Sequence, residues 1–358
     1  MRLVARDPSR EGSGDALGAS RPSARPSDRK RRAFFFEDGG FMSRKRVRIR
    51  LVAGAVWLAI AMGCGKPGPG ADREDFAAGS DRAASSIRVV DDAGRPLELS
   101  GPARRIVSLV PSVTGTIVAL GAADRLVART RYDVDPALSG LPSLGGGLDP
   151  SLEGIVDLRP DLVIAWNARD DRVLVPRLRE VGIAVYAAEI QDTTGIFFTL
   201  DRIGRLLGTS ATADSVARAL RDTFRAVAND VPAGARPTAL YLIAEDPPRT
   251  AGPSTFIGQA IGIAGADPAF PDLADEWPTV SLEAVVAKSP DVIVLPVGPG
   301  LPGREALGRR AGWRDLRAVR EGRVVEIEAD LLARPGPDLG RAARALREGL
   351  SAVAGASP

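Results

Sequence analysis

Two stretches of this chain are copies of each other, and few folds accommodate such a pair. Ser151-Leu152-Glu153 runs through Val156 to Pro160-Asp161 and the apolar Leu162-Val163-Ile164. Ser281-Leu282-Glu283 runs through Val286 to Pro290-Asp291 and Val292-Ile293-Val294. Ser, Leu, Glu, Val, Pro and Asp keep the same offsets without a gap. Each copy reads as a short helix, a Pro-Asp turn and a buried parallel strand. A unit used twice predicts two similar α/β lobes, and the space between lobes is where ligands usually sit.

The rest of the chain fits that frame. Ile87 to Leu99 alternates as a β-hairpin would, with Asp92-Ala93-Gly94 at its turn. Arg105–Val110 and Leu126–Thr130 read as strands, with a helix from Pro111 to a stop at Gly121 between them. Gly145-Gly146-Gly147 reads as a loop into the first copy, followed by a helix over Val173–Val181 and a strand over Ile183–Ala187. Asp192–Leu207 is helical with Gly208 as its stop. Ser210–Val231 is a longer helix with no turn signal inside it, and it joins the lobes. The second lobe is expected to hold strands at Ala239–Ile243 and Val324–Ile327. Its helices are expected at Phe256–Ala264, Arg304–Val319 and Asp338–Val353. The expected architecture is α/β: two Rossmann-like lobes with parallel sheets, residues 87–209 and 232–355, bridged by one long helix over 210–231.

Charge and composition narrow the function. Residues 1–64 carry 14 Lys and Arg against 6 Asp and Glu, which leaves 34 against 39 and a net charge of −5 for the remainder. The overall charge of +3 is therefore a property of the leader, and a nucleic-acid partner is not expected. The chain has no His and one Cys, Cys64, so imidazole triads, thiolate–imidazole pairs, His/Cys zinc sites and internal disulfides are excluded. No resident cofactor or metal site is expected.

Ser43–Arg50 is a basic head, Leu51–Met62 a short apolar run, and Ala61-Met62-Gly63 a small-residue site before Cys64. Together these read as a secretory signal over residues 42–64. Residues 1–41 are Arg-, Ser- and Pro-rich and precede Met42, which is the expected start; the part before it is expected to be untranslated or disordered. Residues 65–86 read as a flexible tether. Ala-Met-Gly-Cys resembles the lipobox of bacterial lipoproteins, with Ala61 where Leu is usual. That resemblance implies cleavage before Cys64, a lipid on its sulfur, and a periplasmic or cell-surface protein held to a membrane.

Several segments carry a family likeness over roughly residues 87–355. They are Arg105-Ile106-Val107-Ser108-Leu109 with Pro111-Ser112-Val113-Thr114, and Ala119-Leu120-Gly121-Ala122. Pro160-Asp161-Leu162-Val163-Ile164-Ala165-Trp166, Trp277-Pro278-Thr279-Val280-Ser281-Leu282-Glu283 and Arg320-Glu321-Gly322-Arg323-Val324 complete the set. In these segments the chain resembles the periplasmic solute-binding proteins that feed ABC importers of cobalamin, ferric siderophores and haem, with the cobalamin binders nearest. The resemblance implies a monomeric receptor for a metal-containing corrinoid or iron chelate. It also implies that Glu153 and Glu283 crown the two lobes and pair with arginines on a permease dimer. Taken alone, an acidic residue in a helix's first turn only complements the helix dipole, by about 0.3–1 kcal/mol.

Tyr132, Trp166 and Trp277 are candidates for the flat aromatic surface that a corrin or siderophore needs. Trp313 reads as core. The chain has Arg131, Gly147 and Arg249 where the cobalamin binders carry aromatics. With Arg334 these arginines leave room for an anionic siderophore, since guanidinium holds carboxylates bidentately. Asp330 and Arg334 fit a family loop lining the cleft. Outside transport, the alternative is a carboxylate-based hydrolase using Glu153 and Glu283; no recognisable nucleophile and base accompany them.

Overall fold

The computed structural model describes residues 86–167 and 173–355. The leader, Cys64 and residues 65–85 of the expected tether lie outside the described residues.

A hairpin, β1 (Ile87–Val90) with β2 (Pro96–Leu99), precedes the first lobe. That lobe runs β3 (Ile106–Ser108), α1 (Pro111–Ala119), β4 (Leu126–Ala128), α2 (Leu152–Asp157), β5 (Leu162–Trp166), α3 (Leu174–Glu180) and β6 (Val185–Ala188). Two helices follow, α4 (Thr193–Leu207) and α5 (Ser210–Asn229). The second lobe begins with β7 (Thr238–Tyr241), a small hairpin β8 (Ala244–Glu245) and β9 (Pro248–Arg249), α6 (Phe256–Ala264) and β10 (Asp267–Pro268). It continues through α7 (Leu282–Lys288), β11 (Val292–Val297), α8 (Arg304–Arg309), α9 (Arg317–Arg320), β12 (Val324–Glu328), α10 (Ala329–Leu332) and α11 (Leu339–Gly355).

The two sheets have the same topology. Their strand orders are β4-β3-β5-β6 and β10-β7-β11-β12, parallel throughout, so each lobe lays down its second strand outside its first and then crosses to the other side. In such a sheet the crevice for a ligand lies beyond the carboxyl ends of the strands, where the order reverses.

The duplicated stretch explains why the sheets match. Ser151 and Ser281 cap α2 and α7, their hydroxyls accepting from Gly154 N–H at 3.0 Å and Ala284 N–H at 3.1 Å. Arg159 and Ser289, at equivalent positions, have φ of 45° and 44° and are the described non-glycine residues with positive φ. Left-handed backbone costs such residues roughly 1–2 kcal/mol, and the hydrogen bonds of the nearby Asp offset it. Asp161 accepts from the N–H groups of Arg104 and Arg105 at 2.8 and 3.0 Å. Asp291 accepts from Thr238 N–H at 2.9 Å and Thr238 Oγ1 at 2.8 Å. In both lobes the Pro-Asp carboxylate thus pins the start of the neighbouring strand, β3 or β7, and sets its register.

α5 is amphipathic, burying Ala213, Ala217, Leu220, Phe224 and Val227. One continuous core runs from the first sheet (Ile106, Ile164) through α4, α5, α6 and α11 to the second (Ala239, Val294, Val325). Direct hydrogen bonds also cross: Phe256 N–H donates to Gln191 O at 2.8 Å, and Thr193 N–H to Gln259 Oε1 at 2.9 Å. Lobes that share a core cannot rotate apart without exposing it.

One expected helix is broken. Instead of a helical segment over Arg304–Val319 there are two short helices, with Gly312 at φ 81° between them. The break turns Trp313 inward, 1% exposed in the second lobe's core, its indole N–H donating to Glu245 O at 3.3 Å.

Candidate functional site

A cavity of about 300 Å³ lies between the lobes, formed by residues that follow strand ends. Ser112 and Thr114 come after β3, Asp133 and Asp135 after β4, and Glu328, Asp330 and Arg334 at and after β12. Asp338 and Arg341, entering α11, complete the wall. Both sheets therefore turn carboxyl ends toward one space. The volume is at the small end for ligand pockets, enough to enclose the edge of a large ring system.

The lining is acid-rich: Asp133, Asp135, Glu328, Asp330 and Asp338 against Arg334 and Arg341. Several of these groups already have partners. Asp133 is buried and accepts from Thr130 N–H and Oγ1, both at 2.7 Å. Asp135 accepts from Ala137 N–H at 2.9 Å. Asp330 pairs with Arg334 at 3.1 Å and Asp338 with Arg341 at 3.4 Å. Arg334 also donates to Tyr132 O at 2.7 Å, a hydrogen bond from the second lobe to the first. Both guanidinium groups are thus balanced, and the cleft keeps an excess of carboxylate.

The other expected ligand residues are not among those that line this cavity. Tyr132 is at the rim, 53% exposed, with the Arg131 guanidinium 5.3 Å from its ring. Arg131 pairs with Asp149 at 3.6 Å. Trp166 ends β5 and is half-buried under the glycine loop. A Cβ on Gly147 would stand 2.2 Å from Leu109 O and 3.1 Å from Trp166 Nε1, so only glycine lets the loop rest there. Trp277 is half-buried, edge-on to Phe256 with ring centroids 5.9 Å apart. Arg249 is exposed and bridges in antiparallel sense to Thr279, just before α7. Ser112, Thr114, Asp133, Asp135, Glu328, Asp338 and Arg341 were missed by sequence reasoning. The signal that could have found most of them is their place just after a predicted strand.

Glu153 and Glu283 are exposed in the first turns of α2 and α7. The loop leading into α2 rests on Leu109, beyond the end of β3. The segment leading into α7 pairs with β9, Val280 N–H donating to Pro248 O at 2.9 Å. Each glutamate is therefore at the carboxyl edge of its own lobe, on the side where the cleft lies. The Glu283 carboxyl is held below its usual range by its own backbone N–H and the Ser281 hydroxyl. One turn on, Val156 and Val286 are 37% and 51% exposed, so the copies match in apolar surface as well as charge. Among the described residues no group of three or more His, Cys, Asp or Glu is placed to hold a metal ion, and no helix is long and apolar enough to cross a membrane.

Two like lobes, a shared core and a polar cleft at facing strand ends define a receptor for a small molecule. The family model for the periplasmic binding protein matches residues 106–331, and the chain belongs to that family, whose members are extracytoplasmic solute-binding transport proteins and not enzymes. The chain is 28% identical over 298 residues to the uncharacterised ABC transporter substrate-binding lipoprotein YvrC of Bacillus subtilis, covering 81% of this chain and 91% of that one. It is 31% identical over 301 residues to a cobalamin-binding protein of Halobacterium salinarum, covering 80% and 79%. Among solved structures, the periplasmic haem-binding protein BhuT in complex with two haems matches with a TM-score of 0.63 at 27% identity, covering 71% of this chain and 99% of that one. The expected family and α/β two-lobe fold hold, and the hydrolase alternative falls with the family.

Proposed function

We propose that the protein binds a corrinoid between its lobes and delivers it to a two-fold-symmetric ABC permease. One observation carries the ligand class: the carboxylate excess of the cleft. A corrin ring carries carboxamide side chains, whose N–H groups suit carboxylate acceptors. Haem and many iron chelates bring carboxylates of their own, and like charges brought together in a partly desolvated site cost free energy. Two of the three arginines that favoured an anionic siderophore are offset in the structure, Arg131 by Asp149 and Arg334 by Asp330; the third, Arg249, is exposed and does not line the cavity. A relative named for cobalamin binding supports the same reading. Haem is the second reading, supported by the likeness to a haem-binding structure.

Delivery follows from the duplicated edge. A partner with a two-fold axis offers the same socket twice, and this chain offers the same plug twice: Glu153 with Val156, and Glu283 with Val286. The plug is acidic, so the socket is basic, with an apolar rim for the valine. Because the lobes share a core, the plugs stay at a fixed separation. Cys64, by its resemblance to a lipobox and by the likeness to a lipoprotein, ties the receptor to the membrane that holds the permease.

Uptake of labelled cyanocobalamin by cells carrying this receptor and its permease tests the proposal. Glu153→Lys with Glu283→Lys is expected to abolish uptake while the purified double variant binds cyanocobalamin as the wild type does. Unchanged uptake would end the docking role; no binding by either protein would end the corrinoid reading.

A further inference from the structure

The matched sheets place a glutamate at the same point of each lobe. Trp166 is paired with Ala188 and Pro296 with Ile327, and the repeat makes Trp166 and Pro296 equivalent. Glu189 and Glu328, each one residue further on, are therefore equivalents, at the carboxyl ends of β6 and β12.

Their surroundings differ. Glu189 is half-buried and answered by its own lobe: Asn167 Nδ2 donates to one carboxylate oxygen and Gln191 Nε2 to the other, each at 2.6 Å. Both donors are side-chain carboxamides. Glu328 is exposed and lines the cavity, and its carboxylate has no hydrogen-bond or ion-pair partner among the described residues. Its lobe lacks the donors, because the residues equivalent to Asn167 and Gln191 are Val297 and Asp330. Val297 has nothing to donate, and Asp330 is a carboxylate already engaged with Arg334 at 3.1 Å. The first lobe thus shows what satisfies a carboxylate in this position, and the second leaves that place open on the cavity. A ligand that fills the cavity strips water from Glu328, and a carboxylate left dry and unpaired is costly. A ligand that binds well therefore brings N–H groups to it, whereas one that brings a carboxylate meets repulsion as well.

We propose that Glu328 selects the ligand by accepting a carboxamide N–H from it, as Glu189 accepts from Asn167 and Gln191. Naming the donor as a corrin carboxamide rests on the corrinoid reading; that Glu328 accepts an N–H from the ligand does not. Glu328→Ala and Glu189→Ala separate the two equivalents, read by calorimetric titration with cyanocobalamin and by melting temperature without ligand. Glu328→Ala is expected to bind about ten- to a hundredfold more weakly, the loss of a hydrogen bond to a charged group. Its unliganded melting temperature should be unchanged, because no internal contact is removed. Glu189→Ala is expected to melt lower and to bind as the wild type does. Unchanged affinity in Glu328→Ala overturns the proposal. A loss in Glu189→Ala as large as in Glu328→Ala also overturns it, since the two positions would then not differ toward the ligand. Where the wild type fails to bind cyanocobalamin, the corrinoid reading falls. Ferrioxamine B, an iron chelate that also carries amide N–H groups, then decides Glu328 separately. The same loss with that probe keeps its role, and no loss ends it. Wild-type protein that binds neither overturns both.

Discussion

Replacing Asp291 by Ala should cost the protein about 3 kcal/mol. The carboxylate accepts from Thr238 N–H at 2.9 Å and Thr238 Oγ1 at 2.8 Å, and is paired with Arg317. Hydrogen bonds to charged groups contribute about 1.5–3 kcal/mol each. The side chain is 32% exposed, so water screens and partly replaces them and the lower figure applies. Two such bonds give about 3 kcal/mol, and a domain of this size should lose roughly 6–12 °C in melting temperature. Burial pulls the Asp291 carboxyl upward, but the Thr238 N–H and hydroxyl and the Arg317 guanidinium outweigh it and hold it below its usual range. A lowered folded-state value means that this stabilisation is complete above the unfolded value near 4 and fades as pH falls through the folded value. The difference between wild type and variant, followed by circular dichroism in denaturant, should be full at pH 7 and shrink below about pH 4. Asp161→Ala, which removes two bonds at the equivalent strand start, should lose a similar amount. A loss under 1 kcal/mol at pH 7, or a gap that ignores pH, would refute the idea that the repeated Asp sets strand register.

Other perturbations have separate outcomes. A side chain on Gly204 would put its Cβ 2.5 Å from Ala213 Cβ, so Gly204→Val should push α4 from α5 and cost about 1–3 kcal/mol in chemical denaturation. Phe224→Ala should cost about 3–5 kcal/mol and loosen both lobes together, since the ring is 4% exposed in the shared core; hydrogen exchange confined to one lobe would contradict this. Arg334→Ala removes the bond from the second lobe to Tyr132 O, and should raise the ligand's dissociation rate several-fold in stopped-flow measurements while moving the unliganded melting temperature little. Val156→Ser with Val286→Ser should weaken permease binding by an amount that does not change with salt, whereas the loss from Glu153→Gln with Glu283→Gln should shrink as salt rises.

The frame of the fold was legible because it is local and repeated. Helix caps, the Pro-Asp turn and the apolar strands of each copy are all written within a few residues, and α5 announces itself by an unbroken helical period. The break between α8 and α9 was not legible. It depends on burying Trp313 against a core assembled from distant strands, which the helical spacing of Arg304–Val319 does not encode. The hairpin of β8 and β9 escaped for a similar reason, being two residues a side.

The site was legible in part. Asp330 and Arg334 were reached through family likeness, and the two glutamates through the repeat. The aromatic candidates were chosen as residue types suited to a flat ligand, yet Trp277 is occupied with Phe256 and Trp166 with the glycine loop. The polar wall was missed because Asp133 and Glu328 carry no motif and Ser112 was read only as part of a family segment; what makes them a site is that three strands end beside one another.

The most direct test is a calorimetric titration of the mature protein with cyanocobalamin, run beside haemin. The account predicts one site, tight binding of the corrinoid, and weaker binding of the haem because its carboxylates meet those of the cleft. Haemin bound more tightly than cyanocobalamin would contradict it.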